Sequence, residues 1–118
     1  MNDPGSLEAL RFWHRLSIAQ VRGGQPDLST RQMAILLEVY FNTAPPHTVR
    51  GLSEKLGLSK PVISRALDKM GRLGFIKRTR DDADRRNVLI HRTVDGAMYL
   101  SELAGLLQGA RQGPDGPE

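Results

Sequence analysis

Two short segments with helical apolar spacing, joined by one glycine, constrain the fold of this chain more than any other feature. The first runs from Thr48, a residue type that caps helix N-termini, to Leu56. Gly57 follows it, and glycine readily takes the positive φ that ends a helix. Ser59 is placed to cap the second segment, and Pro61 suits a first helical turn because its missing N–H needs no partner there. Two helices joined by such a corner predict a helix-turn-helix.

The second helix of this pair is predicted to separate apolar from basic residues. Ile63, Leu67 and Met70 share one helical face and should point inward. The residues left on the outer face are Lys60, Val62, Ser64, Arg65 and Lys69. A generic two-helix hairpin is the alternative. It does not account for basic residues at the exposed N-terminal positions, where a recognition helix contacts DNA.

Positive charge is concentrated just after this corner. Residues 60–92 hold ten Lys or Arg and four Asp, which gives a net charge of +6. The whole chain carries +4, so the remainder of the chain sums to −2. A basic stretch within an otherwise slightly acidic chain is typical of a surface that binds nucleic acid.

Two strands are predicted after the second helix, over 75–80 and 87–92. Both mix apolar with basic residues, which suits a hairpin with one face on the core and one facing phosphates. The connecting loop ends in Arg85 and Arg86. A merely solvated loop is the alternative; beside a basic helix, we interpret the loop as a wing whose arginine enters the narrow minor groove. Asp84 is predicted to hold an arginine in position by a charge-assisted hydrogen bond.

A further helix is predicted before the corner. Ser29 and Gln32 have the spacing of a capping box, in which each side chain bonds the backbone of the other residue. The helix should then run to about Phe41. Residues with i, i+3, i+4 and i+7 spacing are expected to face the core, namely Met33, Leu36, Leu37 and Tyr40.

The two terminal helices are predicted to be broadly apolar. Ser6 is placed to cap a helix over 7–22, and Thr93 to cap one over 94–107. Each has apolar residues around much of its girth, so each needs more than one packing partner. An over-hydrophobic core helix is the alternative to packing on a second subunit. The residues expected at a dimer interface are Leu7, Leu10, Trp13, Leu103, Leu106 and Leu107.

These elements predict a mainly α fold with a small β-hairpin wing, a winged helix-turn-helix with dimerisation helices at both ends. We expect a single domain over 7–108, with 28–92 as its DNA-binding core. The expected dimerisation helices are 7–24 and 93–108, and the tails expected to be disordered are 1–6 and 109–118.

Composition excludes several other classes of protein. The 118 residues include no cysteine, which rules out disulfide scaffolds and thiolate metal sites. Three scattered histidines argue against a zinc site, and no cofactor is expected. No Gly-rich phosphate loop or clustered His and carboxylate set is present, so an enzyme is not expected. Without a membrane-spanning run or a secretory signal, the expected location is the cytoplasm, in association with the nucleoid.

The sequence resembles the MarR-type winged-helix regulators over roughly residues 28–100. The resemblance rests on LSTRQ at 28–32, on LSEKLGLSKPVISRALDKMGRLGFIKR at 52–78, and on the wing pattern DxRxxxxxLT. Asp84, Arg86 and Thr93 match that pattern, whereas Arg92 stands where it has leucine, which concerns local packing at the wing base.

The resemblance implies a homodimer, formed through the first and last helices, on a pseudo-palindromic operator. It also implies a recognition helix at 59–72 in the major groove and a wing at 80–87, with Arg86, in the adjacent minor groove. Family members usually continue with a second C-terminal helix, and this sequence ends near where that helix would begin. We therefore expect a dimer interface that is smaller or built differently, and a reduced ligand pocket.

Specific contacts to double-stranded DNA can be assigned on this basis. Arg65 is expected to read guanine by a bidentate hydrogen bond, and Val62 to touch a thymine methyl. Lys60, Pro61 and Ser64 should face the same groove. The residues expected to contact phosphates are Thr48, Ser53, Ser59, Lys69, Lys77, Arg78 and Arg80.

One competing function uses the same fold. A winged helix can serve as a protein-interaction module or as a non-specific architectural DNA-binding protein, because a fold does not determine a function. Comparison of binding to random and to specific duplex separates these possibilities. A small-molecule effector is possible, but the sequence does not identify one.

Overall fold

Hydroxyl side chains begin the helices of the central part of the chain, as their spacing predicts. A computed structural model describes residues 2–42 and 46–113. Its helices and strands are α1 Pro4–Gly23, α2 Thr30–Phe41, β1 His47–Thr48, α3 Val49–Leu56, α4 Lys60–Arg72, β2 Ile76–Arg80, β3 Val88–Arg92 and α5 Val94–Gln112. They form two compact units: α1 with the part of α5 from residue 100 onward, and Leu28–Tyr99. Each unit is described by itself.

The predicted caps are confirmed in the unit Leu28–Tyr99. Ser29 and Gln32 form both hydrogen bonds of the capping box. The Gln32 N–H donates to the Ser29 Oγ at 3.1 Å, and the Ser29 N–H donates to the Gln32 Oε1 at 2.8 Å. Thr48 caps α3 through a 2.9 Å bond from the Gly51 N–H. Gly57 ends α3 with a φ of 67°, the left-handed conformation that favours glycine. These local bonds fix where α2 and α3 begin, and Gly57 fixes where α3 ends.

The sheet has three antiparallel strands in the order β1-β3-β2, rather than the two strands predicted. β2 and β3 lie within one residue of the predicted bounds and pair from Ile76 opposite Arg92 to Arg80 opposite Val88. The additional strand, β1, has two residues and pairs His47 with Ile90. A two-residue strand carries no alternating pattern, so only its non-local pairing reveals it.

The core of this unit lies between α2, α3 and α4. Ile63, Leu67 and Met70 are fully buried, as predicted for α4. The predicted inner face of α2 was partly wrong. Leu36 is buried as expected, and Ile35 and Val39 are buried with it. The other residues expected to face the core, Met33, Leu37 and Tyr40, are only half-buried. Apolar residues occupy more than half of the circumference of α2, so spacing alone could not select its inner face.

Tyr40 joins the end of α2 to the base of the wing. Its hydroxyl oxygen lies 2.8 Å from the Phe75 carbonyl oxygen, to which it can donate, and 3.0 Å from the Thr93 carbonyl oxygen. The same hydroxyl accepts a 3.0 Å bond from the Thr93 N–H. One side chain therefore satisfies backbone groups at the start of β2 and at the end of β3.

Thr93 completes this junction as the cap of α5, which confirms its predicted role. Its Oγ1 accepts a 2.9 Å bond from the Gly96 N–H and donates a 2.6 Å bond to the Gly74 carbonyl oxygen. The rings of Phe75 and Tyr99 stack with centroids 4.5 Å apart. Gly96 lies against the Tyr40 hydroxyl and the Phe75 carbonyl so closely that a side chain has no room there.

In the other unit, helix extends into both of the segments predicted to be disordered tails. α1 begins at Pro4 with Asp3 as its cap, not with Ser6, because the Asp3 carboxylate accepts from the Ser6 hydroxyl and from the Ser6 N–H at 3.1 Å. These bonds also hold the pKa of Asp3 below its ordinary value, with the bond from the Ser6 side chain as the largest cause. α5 continues to Gln112, into the tail predicted to start at 109, and Arg15 Nε donates a 2.7 Å bond to the Ala110 carbonyl near its end. Residue 1 and residues 114–118 of the predicted tails lie outside the described residues.

Candidate nucleic-acid interface

α4 presents polar and basic residues on the side opposite its buried face. Lys60, Pro61 and Arg65 are exposed, and Val62, Ser64 and Lys69 are half-buried. Ser59 caps the helix through a 3.4 Å bond from the Val62 N–H. The buried residues Ile63 and Leu67 fix the rotation of the helix, so its first two turns expose Lys60 and Arg65.

In the wing, Asp84 holds the Arg86 guanidinium. Arg86 Nε lies 3.0 Å from Asp84 Oδ1, and Arg86 Nη2 lies 3.1 Å from Asp84 Oδ2. The Arg86 N–H also donates to Asp84 Oδ1 at 3.1 Å. The Arg86 side chain is nevertheless 91% exposed, so it is oriented and still available to a partner. This is the contact expected from the sequence; the role of Arg86 toward DNA remains a prediction.

Hydrogen bonds and nearby charge keep Asp84 ionised. The bond from the Arg86 side chain is the largest cause that lowers the pKa of Asp84, followed by the Arg86 N–H and, more weakly, by the charge of Arg50. The same pair raises the pKa of Arg86. Because the folded pKa of Asp84 lies below its ordinary value of 3.8, the ion pair persists at neutral pH and breaks only as pH falls through that folded pKa.

A cleft separates the N-terminal turns of α3 and α4 from the wing. Its volume is about 370 Å³. The residues that line it are Val49, Arg50, Lys60, Ser64, Asp84, Arg86, Asn87 and Val88. Sequence reasoning missed Arg50 and Asn87 as residues of this surface. Arg50 is exposed in the first turn of α3, but only the folding of the wing toward α3 brings it near Asp84.

The basic residues of β2 have three different environments. Lys77 is exposed, as a phosphate contact requires. Arg78 forms a 2.8 Å salt bridge with Asp68 of α4, and its contact with phosphate remains a prediction. Arg80 Nη1 donates to the Arg85 carbonyl at 3.2 Å and so braces the wing loop, while Arg85 itself is exposed. Arg78 therefore links the wing to α4, whereas Arg80 acts within the wing.

The three hydroxyl residues predicted to contact phosphates also have bonds within the chain. The Ser53 hydroxyl donates to the Leu58 carbonyl oxygen, so its only proton is used, and we no longer expect it to bind phosphate. Thr48 and Ser59 accept hydrogen bonds as helix caps, which leaves each hydroxyl proton able to bond a phosphate oxygen.

The residues predicted at a dimer interface are exposed on α1 but not on α5. The exposed fractions of Leu7, Leu10 and Trp13 are 40%, 47% and 64%. Leu103 is buried at 8% within its own chain, which corrects its assignment to the interface, and Leu106 and Leu107 are half-buried. Periodicity identified apolar surface on α5 but could not tell which part of it the same chain covers.

Residues 2–42 and 46–113 contain neither a metal-binding group nor a membrane-spanning helix. No three His, Cys, Asp or Glu side chains come together there as a metal-binding group. No helix within those ranges has the length and apolar character to cross a membrane.

The arrangement of α3, Gly57, α4 and the β2–β3 hairpin defines a winged helix-turn-helix protein, the fold class expected from the sequence. The MarR family model matches residues 27–87, more than half of the chain. The chain therefore belongs to the MarR family and is a transcriptional regulator of the winged-helix type, as its resemblance predicted. Such regulators are not enzymes, in agreement with the sequence.

Several solved structures share this fold. A variant of MepR from Staphylococcus aureus, bound to an oligodeoxyribonucleotide, is 20% identical with a TM-score of 0.76, covering 95% of this chain and 81% of that one. MarR is 23% identical with a TM-score of 0.68, covering 95% and 80%. The transcriptional regulator BldR from Sulfolobus solfataricus is 23% identical with a TM-score of 0.62, covering 89% and 73%. A search of curated protein sequences found no match to the chain.

Proposed function

We propose that this protein regulates transcription by binding a specific site in double-stranded DNA, with α4 in the major groove and the wing in the adjacent minor groove. One observation carries the proposal: Lys60 and Ser64 of α4 line the same cleft as Arg86 of the wing. The recognition helix and the wing arginine therefore face one side of the molecule and can engage one duplex. A MepR variant of the same fold binds an oligodeoxyribonucleotide, which supports DNA as the partner.

The roles of the side chains follow from their exposure and their existing bonds. Arg65 is exposed on α4, and a guanidinium matches the two acceptors on the major-groove edge of guanine. Arg86 enters the minor groove in the orientation that Asp84 gives it. Lys77 is exposed on the wing and contacts the phosphate backbone, which adds affinity without sequence preference.

The protein acts as a homodimer through α1. Leu7, Leu10 and Val21 are exposed by 40% to 81% and recur at helical spacing, so they form a stripe that one protomer leaves uncovered. A second copy covers this stripe and places two α4 helices on one face of the DNA. Two recognition helices about one helical turn apart predict half-sites centred ~10 bp apart in a pseudo-palindrome.

Replacing Arg65 and Lys77 separately tests these assignments. Arg65→Ala should relax base preference at one position in each half-site and weaken the specific site by about 1–3 kcal/mol. Lys77→Ala should weaken all sequences alike and reduce the salt dependence of binding by the equivalent of about one phosphate for each protomer. Fluorescence anisotropy with specific and single-mismatch duplexes, over a range of salt concentrations, measures both effects.

Each of these variants is the control for the other, since each removes one positive charge from an exposed position. Equal weakening of every sequence by both changes would refute the division between a base-reading arginine and a phosphate-contacting lysine. Loss of base preference in Lys77→Ala but not in Arg65→Ala would show that the two roles are reversed.

A further inference from the structure

We propose that the cleft between α3, α4 and the wing holds one strand of the DNA backbone, and that Arg50 together with Lys60 binds a phosphate of that strand. The proposal rests on the proposed function and adds to it a binding site and a residue, Arg50. The major and minor grooves of a duplex are separated by a single sugar-phosphate strand. A protein with α4 in one groove and the wing in the other must therefore straddle that strand, and the space available between them is this cleft.

The charges in the cleft favour a phosphate. Arg50, Lys60 and Arg86 line it, against the single carboxylate of Asp84. That carboxylate is already paired bidentately with Arg86. Within the part of the chain that the structure describes, neither Arg50 nor Lys60 forms a salt bridge, and Arg50 acts on Asp84 only through the field of its charge. Two cations thus remain available to an anion.

The neutral residues of the cleft suit the rest of a nucleotide backbone. Ser64 and Asn87 supply polar groups that can bond phosphate oxygens. Val49 and Val88 supply apolar surface for the deoxyribose. The volume of about 370 Å³ lies in the range of cavities that hold small molecules, so there is room for a sugar-phosphate unit.

Salt dependence provides the first test. Binding of the full chain to a mixed-sequence duplex is measured by anisotropy at increasing salt for the native protein, Arg50→Ala and Arg50→Lys. Arg50→Ala should weaken binding about tenfold, as expected when a charge-assisted hydrogen bond is removed. It should also make the slope of log K against log salt less negative by about 0.9 for each phosphate that is no longer neutralised. Arg50→Lys should keep most of the slope, because it keeps the charge.

Arg31 supplies a matched control. It is an exposed arginine at the second position of α2, as Arg50 is of α3, and it lies outside the cleft. Arg31→Ala should leave both affinity and slope unchanged. Circular dichroism of each variant verifies that the fold is retained. If Arg31→Ala lowered the slope as much as Arg50→Ala does, general loss of charge would be the cause and the proposed phosphate site would be wrong.

Neutral phosphates locate the contact itself. Methylphosphonate groups are introduced one at a time into a duplex selected by the native protein. The native protein should bind about tenfold more weakly when one particular phosphate in each half-site is neutralised, between the positions contacted by α4 and by the wing. Arg50→Ala should be clearly less sensitive than the native protein at that phosphate, where only Lys60 still supplies a charge, and should keep its full sensitivity at the others.

The outcomes distinguish this inference from the proposed function. If the native protein selects a sequence but Arg50→Ala is as sensitive as the native protein at every phosphate, the cleft does not hold the backbone in this way, while the proposed function stands. If the native protein shows no preference for any duplex, specific regulation by DNA binding is refuted first, and the salt slopes still decide whether Arg50 contacts phosphate.

Discussion

Replacing Gly96 with alanine should destabilise the unit Leu28–Tyr99 by about 3 kcal/mol or more. A Cβ at this position would overlap the Tyr40 hydroxyl and the Phe75 carbonyl oxygen. Overpacking of this kind costs about 1–3 kcal/mol, and displacing the Tyr40 hydroxyl also breaks its bonds to Phe75 and Thr93. For a protein with about 5–15 kcal/mol of total stability, this is a large fraction. Urea unfolding followed by circular dichroism measures it.

A second glycine of the same helix provides the control. A Cβ at Gly105 meets no other atom within 4 Å, so Gly105→Ala should keep or raise stability by up to about 1 kcal/mol. Combining Gly96→Ala with Tyr40→Phe removes the clashing hydroxyl, and the double change should cost less than the sum of the single changes. Equal stability of the Gly96→Ala and native proteins would show that the Tyr40 junction is not closely packed.

Introducing a charge at Leu10 should separate the dimer. Leu10 is 47% exposed in one protomer, so glutamate there is tolerated by the protomer itself but not in an apolar contact with a second copy. Linking two binding modules raises apparent affinity by about 10²–10⁴, so a monomer should bind the two-half-site operator at least ~100-fold more weakly. Sedimentation velocity and anisotropy on the same sample measure both effects.

The adjacent residue makes a matched variant. Ala9 is exposed and lies about 100° around α1 from Leu10, away from the direction of Val21. Ala9→Glu adds the same charge beside Trp13, at the edge of the exposed apolar surface, and should weaken the dimer and its DNA affinity less than Leu10→Glu does. The proposed dimer would be contradicted if Leu10→Glu remained dimeric, or if the native protein were a monomer that binds the operator at full strength.

Features encoded by a few neighbouring residues were predictable from the sequence. Ser29, Thr48 and Ser59 cap helices, and Gly57 ends one, because each acts within three or four residues of its own position. The Asp84–Arg86 contact spans two residues and was likewise predictable. The same reasoning misplaced the start of α1, because Asp3 and Ser6 both have side chains suited to capping and only the bonds formed show which residue caps.

Features that depend on long-range packing were not predictable in this way. The salt bridge between Arg78 and Asp68 joins β2 to α4, and the sequence does not indicate that these two residues meet. Arg50 becomes part of the candidate interface only when the wing folds toward α3. The burial of Leu103 likewise depends on packing within its unit, which apolar spacing does not report.

The central claim is that α4 and the wing together read a specific duplex, and selection from a random pool tests it most directly. The native protein is incubated with random duplexes at physiological salt, and bound DNA is amplified and sequenced over several rounds. We predict enrichment of one pseudo-palindrome with half-sites centred ~10 bp apart, bound ~10³-fold or more tightly than random duplex. No enriched sequence, with equal affinity for all duplexes, would contradict specific recognition by α4 and the wing.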